Sequence, residues 1–160
     1  MTVIVAIDPG PVQSAWLRFA THPLTGDRVE SFAIWPNDEL LRGLRGDLHL
    51  MRGVDIVVIE KIEAFGMAVG AEVFETVYVS GQMAEAARPL TVDRLGRKAV
   101  KIHLCGSMRA KDPNIRQSLI DRFGGPDAIG KKAKPGPLYG VAGDVWSALA
   151  VACTWSDLHG

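Results

Sequence analysis

The sequence predicts an α/β fold: a five-stranded mixed sheet, three antiparallel strands followed by two parallel ones, with helices on both faces. Three observations carry this. Residues 2–7 and 54–60 are short, strongly apolar runs, and such runs read as strands buried on both faces. Between them Leu40, Leu41, Leu44, Leu48 and Met51 recur at helical spacing, so a helical crossover makes the two strands parallel. Residues 14–20 and 29–35 are partly alternating and joined by short turn-rich connections, the mark of an antiparallel meander.

In chain order, the first strand closes at Asp8-Pro9-Gly10, where proline stops the strand and glycine lets the backbone pass close to a ligand. Residues 21–27 form a turn cluster, and Pro36 ends the third strand. Asn37 has the chemistry of a helix cap, with Asp38 and Glu39 in the first turn and Gly53 at the end. Residues 71–87 read as a second helix closed by Pro89, despite the β-branched Val77 and Val79. Residues 98–104 alternate, which predicts the fifth strand there. A helix over residues 115–123 starts at Asp112 or Asn114 and ends at Gly124-Gly125-Pro126. Residues 127–140, rich in Lys, Gly and Pro, are expected to be a mobile loop, and residues 143–155 the last helix.

At 160 residues the chain has enough length for one domain, residues 1–160, with a sizeable core. Apolar residues make up 48% and charged residues 22%, an ordinary globular balance. A formal net charge of zero gives no overall pull toward nucleic acid or membrane. No apolar run is long enough to cross a bilayer, and the opening strand lacks the flanks of a signal peptide, so the cytoplasm is the expected location. Cys105 and Cys153 lie in apolar surroundings without a CxxC pair and read as buried reduced thiols.

The informative feature is a set of acids. Two buried parallel strands end in Asp8 and Glu60, and parallel neighbours bring their carboxyl ends to one sheet edge, where open α/β sheets bind ligands. Asp144 begins the last helix, where the helix dipole favours negative charge. Asp8 by itself fits a tight turn, Glu60 a surface strand end, and Asp144 a helix cap. Converging carboxylates without matching cations would repel one another, and a hard divalent ion relieves that repulsion. Two such ions about 3.5–4 Å apart can activate water and stabilise the leaving oxygen of a phosphodiester.

Residues 4–10, 57–60 and 144–152, with Ser80-Gly81-Gln82 in the second helix, resemble the RuvC family of Holliday junction resolvases, and the resemblance spans nearly the whole chain. That resemblance implies an RNase H-like fold of the retroviral-integrase superfamily and a homodimer. It also implies endonuclease cleavage of four-way DNA in recombination and repair, with Mg²⁺ or Mn²⁺, two ions per site. By position it makes Asp8, Glu60 and Asp144 catalytic metal ligands. The family's last helix carries a second acid, and Ser147 stands in its place, so the likeness is to divergent phage-encoded members rather than the bacterial housekeeping form. The fourth ligand is then open, with Glu63 a candidate. The setting implied is the cytoplasm of a bacterium or of a phage-infected host.

The charge distribution agrees with a DNA partner. Between Arg88 and Lys134 stand twelve basic residues and four acidic ones, about +8 net, against zero for the whole chain. Arg109, Lys111 and Arg116 are the expected phosphate contacts, and Lys131, Lys132 and Lys134 could close over bound DNA. In the resembled family an aromatic residue after the glutamate enters the junction centre; Phe65, beside Gly66, is its nearest counterpart, although a core-facing loop anchor fits it equally. Val73, Phe74, Val77 and Tyr78 offer apolar surface for core or for a dimer face, and a symmetric junction suits a C2 dimer. One alternative is a junction-binding protein with weak or no cleavage, owing to Ser147. Another, an actin-like ATPase or sugar kinase with an acidic first turn, needs two such domains and a second phosphate loop.

Overall fold

A computed structural model describes residues 1–160. β1 (Thr2–Asp8), β2 (Gln13–His22) and β3 (Gly26–Pro36) form the antiparallel meander. α1 (Asn37–Leu44) and a short 3₁₀ turn at His49–Met51 then lead to β4 (Ile56–Lys61), which pairs parallel to β1. α2 (Ala71–Ala86) carries the chain to β5 (Thr91–Gly96), parallel to β4. α3 (Arg97–Cys105), α4 (Asp112–Arg122), a small hairpin of β6 (Gly130–Lys131) and β7 (Lys134–Pro135), and α5 (Val145–His159) complete it. The sheet order is β3-β2-β1-β4-β5, the mixed five-stranded sheet that the sequence predicts.

Strand alternation divides the core in two. Ile4 and Ala6 of β1 and Ile56 and Val58 of β4 face α5, whereas Val3, Val5 and Ile7 of β1 and Val57 and Ile59 of β4 face α1 and α2. α5 is apolar on nearly every side, as a helix packed between a sheet and other helices must be. Its Ala148, Ala150 and Ala152 are fully buried, and their small side chains let the helix lie close to the strands.

Four elements depart from the sequence reading. Residues 98–104 are not a strand: they belong to α3, and the fifth strand is the preceding Thr91–Gly96. The alternation there coexists with helical spacing, since only Val100 of α3 is fully buried and its neighbours are good helix formers. The first helix stops at Leu44 instead of reaching residue 51, because Gly46 takes a positive φ of 94°. Residues 127–140 are not an open loop: β6 pairs with β7, and Leu138 N donates to Ala128 O at 2.8 Å. Asn37 is the first helical residue and not the cap; its side chain is used elsewhere. No helix is long and apolar enough to cross a membrane.

Candidate active site

The parallel register Ile7↔Ile59 brings Asp8 and Glu60, one residue further on, side by side. Both follow the alternation onto the α5 face of the sheet. The turn after Asp8 is clamped by a closed set of bonds. Gly10 N donates to Ser14 Oγ at 3.0 Å, Ser14 Oγ donates to Asn37 Oδ1 at 2.6 Å, and Asn37 Nδ2 donates to Gly10 O at 2.9 Å. A Cβ on Gly10 would lie 2.4 Å from Gln13 O, so only glycine fits this turn. Glu60 is 7% exposed.

Burial is the largest cause that raises the Asp8 carboxyl, followed by repulsion from Glu60, a hydrogen bond shared with Glu60, and repulsion from Asp144; Arg97 opposes them. The result pushes Asp8 up to about 9. Two crowded carboxylates thus hold a proton between them when nothing cationic lies on them.

Asp144 is exposed on the wall of a cleft of about 320 Å³ that it shares with Arg97, Asp112, Arg116, Trp146 and Ser147. It precedes α5 in a helical conformation, and its carboxylate makes no capping bond, so capping is not what occupies that side chain. Ser147, one turn on, accepts a hydrogen bond from Arg97 Nη1 at 3.2 Å. The same Nη1 lies 3.6 Å from Glu60 Oε1, and Nη2 pairs with the Asp112 carboxylate. Arg97 is the site residue that the sequence reading missed, having counted it only among general basic charge. The missing signal was the true position of β5: the residue after its last strand position emerges beside the end of β4.

The donor chemistry fits a hard divalent cation, being all oxygen, crowded and partly buried. Asp8 and Glu60 are the close pair, and Asp144 acts on Asp8 through charge. No three Asp, Glu, His or Cys side chains are drawn together into a complete ligand cage. Glu63 does not join the site. Its carboxylate lies over Gly96, where an added Cβ would overlap it, in a separate cleft with Lys61, Arg94 and Lys98.

Phe65 is 61% exposed, with a positive φ of 49°, and lines a shallow cleft with Arg97, Lys98, Lys101 and Met108. It is therefore not a core-facing anchor. Arg116 lies over the Trp146 ring at 4.9 Å, on the rim of the acidic cleft. Lys111 precedes α4, its backbone N donating to Asn114 Oδ1 at 2.9 Å. Lys131, Lys132 and Lys134 are exposed on the small hairpin. Arg109, Lys111, Arg116 and these three lysines make no ion pair, whereas Arg122 and Arg97 are spent inside the protein.

Taken together, the sheet order and the helices packed on it define an RNase H-like fold of the RuvC type. Solved structures with the same fold include Thermus thermophilus RuvC, at 17% identity and TM-score 0.73 over 97% of this chain and 93% of that one. The T. thermophilus RuvC complex with a Holliday junction substrate matches at 19% identity and TM-score 0.66, covering 98% and 93%. The yeast mitochondrial Holliday junction resolvase matches at 12% identity and TM-score 0.63, covering 96% and 77%. No family model and no curated protein matches the chain.

Proposed function

We propose that this chain is a metal-dependent, structure-selective endonuclease that cuts four-way or branched DNA, with residues 1–160 as one nuclease domain. The observation that carries this reading is the crowding of Asp8 against Glu60 at adjoining parallel strand ends, with Asp144 near enough to add its repulsion to Asp8. Asp8, Glu60 and Asp144 would hold Mg²⁺ or Mn²⁺, which supplies Lewis-acid stabilisation of the phosphate and an activated water. The Ser14–Asn37–Gly10 clamp keeps the Asp8 turn from moving as charge enters the cleft. Arg116, over the Trp146 ring, presents a guanidinium to phosphate at the rim. Arg109, Lys111, Lys131, Lys132 and Lys134 are free to take up backbone phosphates, and exposed Phe65 offers its face to an unpaired base.

A homodimer suits the substrate. Phe74, Val77 and Tyr78 of α2 are 65%, 50% and 67% exposed, and Gly81 continues their stripe with open space above it. Pairing α2 with its symmetry mate would cover these groups and present two acidic clefts to the two strands of a junction that must be cut. The test is a labelled four-way junction, a fork and a plain duplex, each with Mg²⁺, Mn²⁺ or chelator. The expected result is cutting of branched DNA only, and only with a divalent ion. Equal cutting of plain duplex would overturn structure selectivity. Binding of the junction without cutting under either ion would overturn the nuclease reading in favour of a junction-binding protein.

A further inference from the structure

We propose that Arg97 takes the place of a second divalent ion, so that each chain binds one ion where the family resemblance implies two; this rests on the metal reading above. In the family the sequence resembles, the last helix carries a fourth acid, one more carboxylate with which to hold a second ion. Here that position is Ser147, a neutral hydroxyl, and Arg97 Nη1 donates to it at 3.2 Å. The same nitrogen lies 3.6 Å from Glu60 Oε1, while Nη2 is tied to Asp112. The guanidinium therefore bridges the end of β4 and the first turn of α5.

The charge balance points the same way. Asp8, Glu60 and Asp112 all lie under the influence of one permanent cation, Arg97. A second divalent ion would stand directly against a guanidinium that stays protonated at any working pH. Nor can Arg97 withdraw without loss. Its side chain is 26% exposed, and its departure would leave Glu60, 9% exposed at the side chain, without its only cation. Within this arrangement Arg97 is a positioning residue that holds Glu60 and Ser147 apart from a second metal.

Counting Mn²⁺ tests this without reference to cleavage. Calorimetry on the full wild-type chain is expected to give one ion per chain, with the paramagnetic resonance spectrum of isolated Mn²⁺. The double variant Arg97→Gln/Ser147→Asp is expected to bind two, with the spectrum of a coupled pair. Two ions on the wild-type chain overturn the proposal, as does a folded double variant that still holds one. A wild-type chain that binds none overturns the metal reading itself, a result distinct from either. If the double variant does not fold, the wild-type count alone decides.

Discussion

The two ends of α5 handle charge in opposite ways. At its C-terminal end Arg122 donates to Asp157 at 2.6 and 2.8 Å and to Asp27 of β3, and His103 lies 2.7 Å from the Asp157 carboxylate. Arg122 pairs with both acids there, and its hydrogen bonds hold Asp157 below the usual carboxylate range. At the N-terminal end Asp8 and Glu60 share Arg97, which is also engaged by Asp112 and Ser147, and Asp144 adds its repulsion to Asp8. Both ends tie distant segments to one helix. Only one pushes a carboxyl up rather than down, and crowded carboxylates cost stability until a cation answers them. The contrast separates an internally satisfied ion cluster from a crowded, unsatisfied one without reference to any relative.

The largest expected break in this contrast comes from Glu60→Gln. Junction cleavage should fall about 10²–10³-fold, the cost typical of losing one preorganised charge-handling group, while thermal melting without metal shows no loss of fold. Single-turnover cleavage beside a melting curve would check both halves. At the other end, Arg122→Ala should cost about 2–3 kcal/mol in urea unfolding, because it strands Asp27 and Asp157 together, and should leave cleavage by the folded fraction intact.

The two ends also answer pH with opposite signs. Asp8 keeps its proton in the folded chain up to about 9 but releases it near 3.8 once unfolded, so metal-free stability falls as pH rises between those values. The slope from this group is at most roughly 1.4 kcal/mol per pH unit, and Asp8→Asn should remove it in urea titrations under chelator. Asp157 is depressed instead, so its contribution is present above the unfolded carboxyl value and is lost as acid takes the pH down through the folded one. The smallest expected effect is at Phe65, which adds no charge to either cluster. Phe65→Ala should weaken junction binding by about 1 kcal/mol or somewhat more through lost base stacking, with unchanged melting, as measured by titration of labelled junction.

Much of this was legible in the chain because it rests on short-range pattern. The apolar runs ending in Asp8 and Glu60 each declare a buried strand with an acid at its tip, and the leucine spacing between them declares the crossover that makes them parallel. β5 was not legible. As an edge strand it is only partly buried, so Asp93, Arg94 and Gly96 are tolerated within it and its composition resembles a loop. The alternating residues after it drew the strand assignment away, and with it went the one inference that would have set Arg97 beside Glu60. The clamp of Ser14 and Asn37 on Gly10 was hidden for a different reason. It joins residues 23 to 27 positions apart through side-chain hydrogen bonds, which leave no periodic trace. Phe65 had two readings of equal standing, and its exposure removes the core-facing one.

The most direct measurement is junction binding and junction cleavage on the same samples of wild-type and Asp8→Asn protein with Mg²⁺. If the crowded carboxylates at the ends of β1 and β4 carry the reaction, the variant binds the four-way junction as the wild type does and fails to cut it. An Asp8→Asn protein that still cuts at the wild-type rate would contradict the assignment of the chemistry to this end of α5.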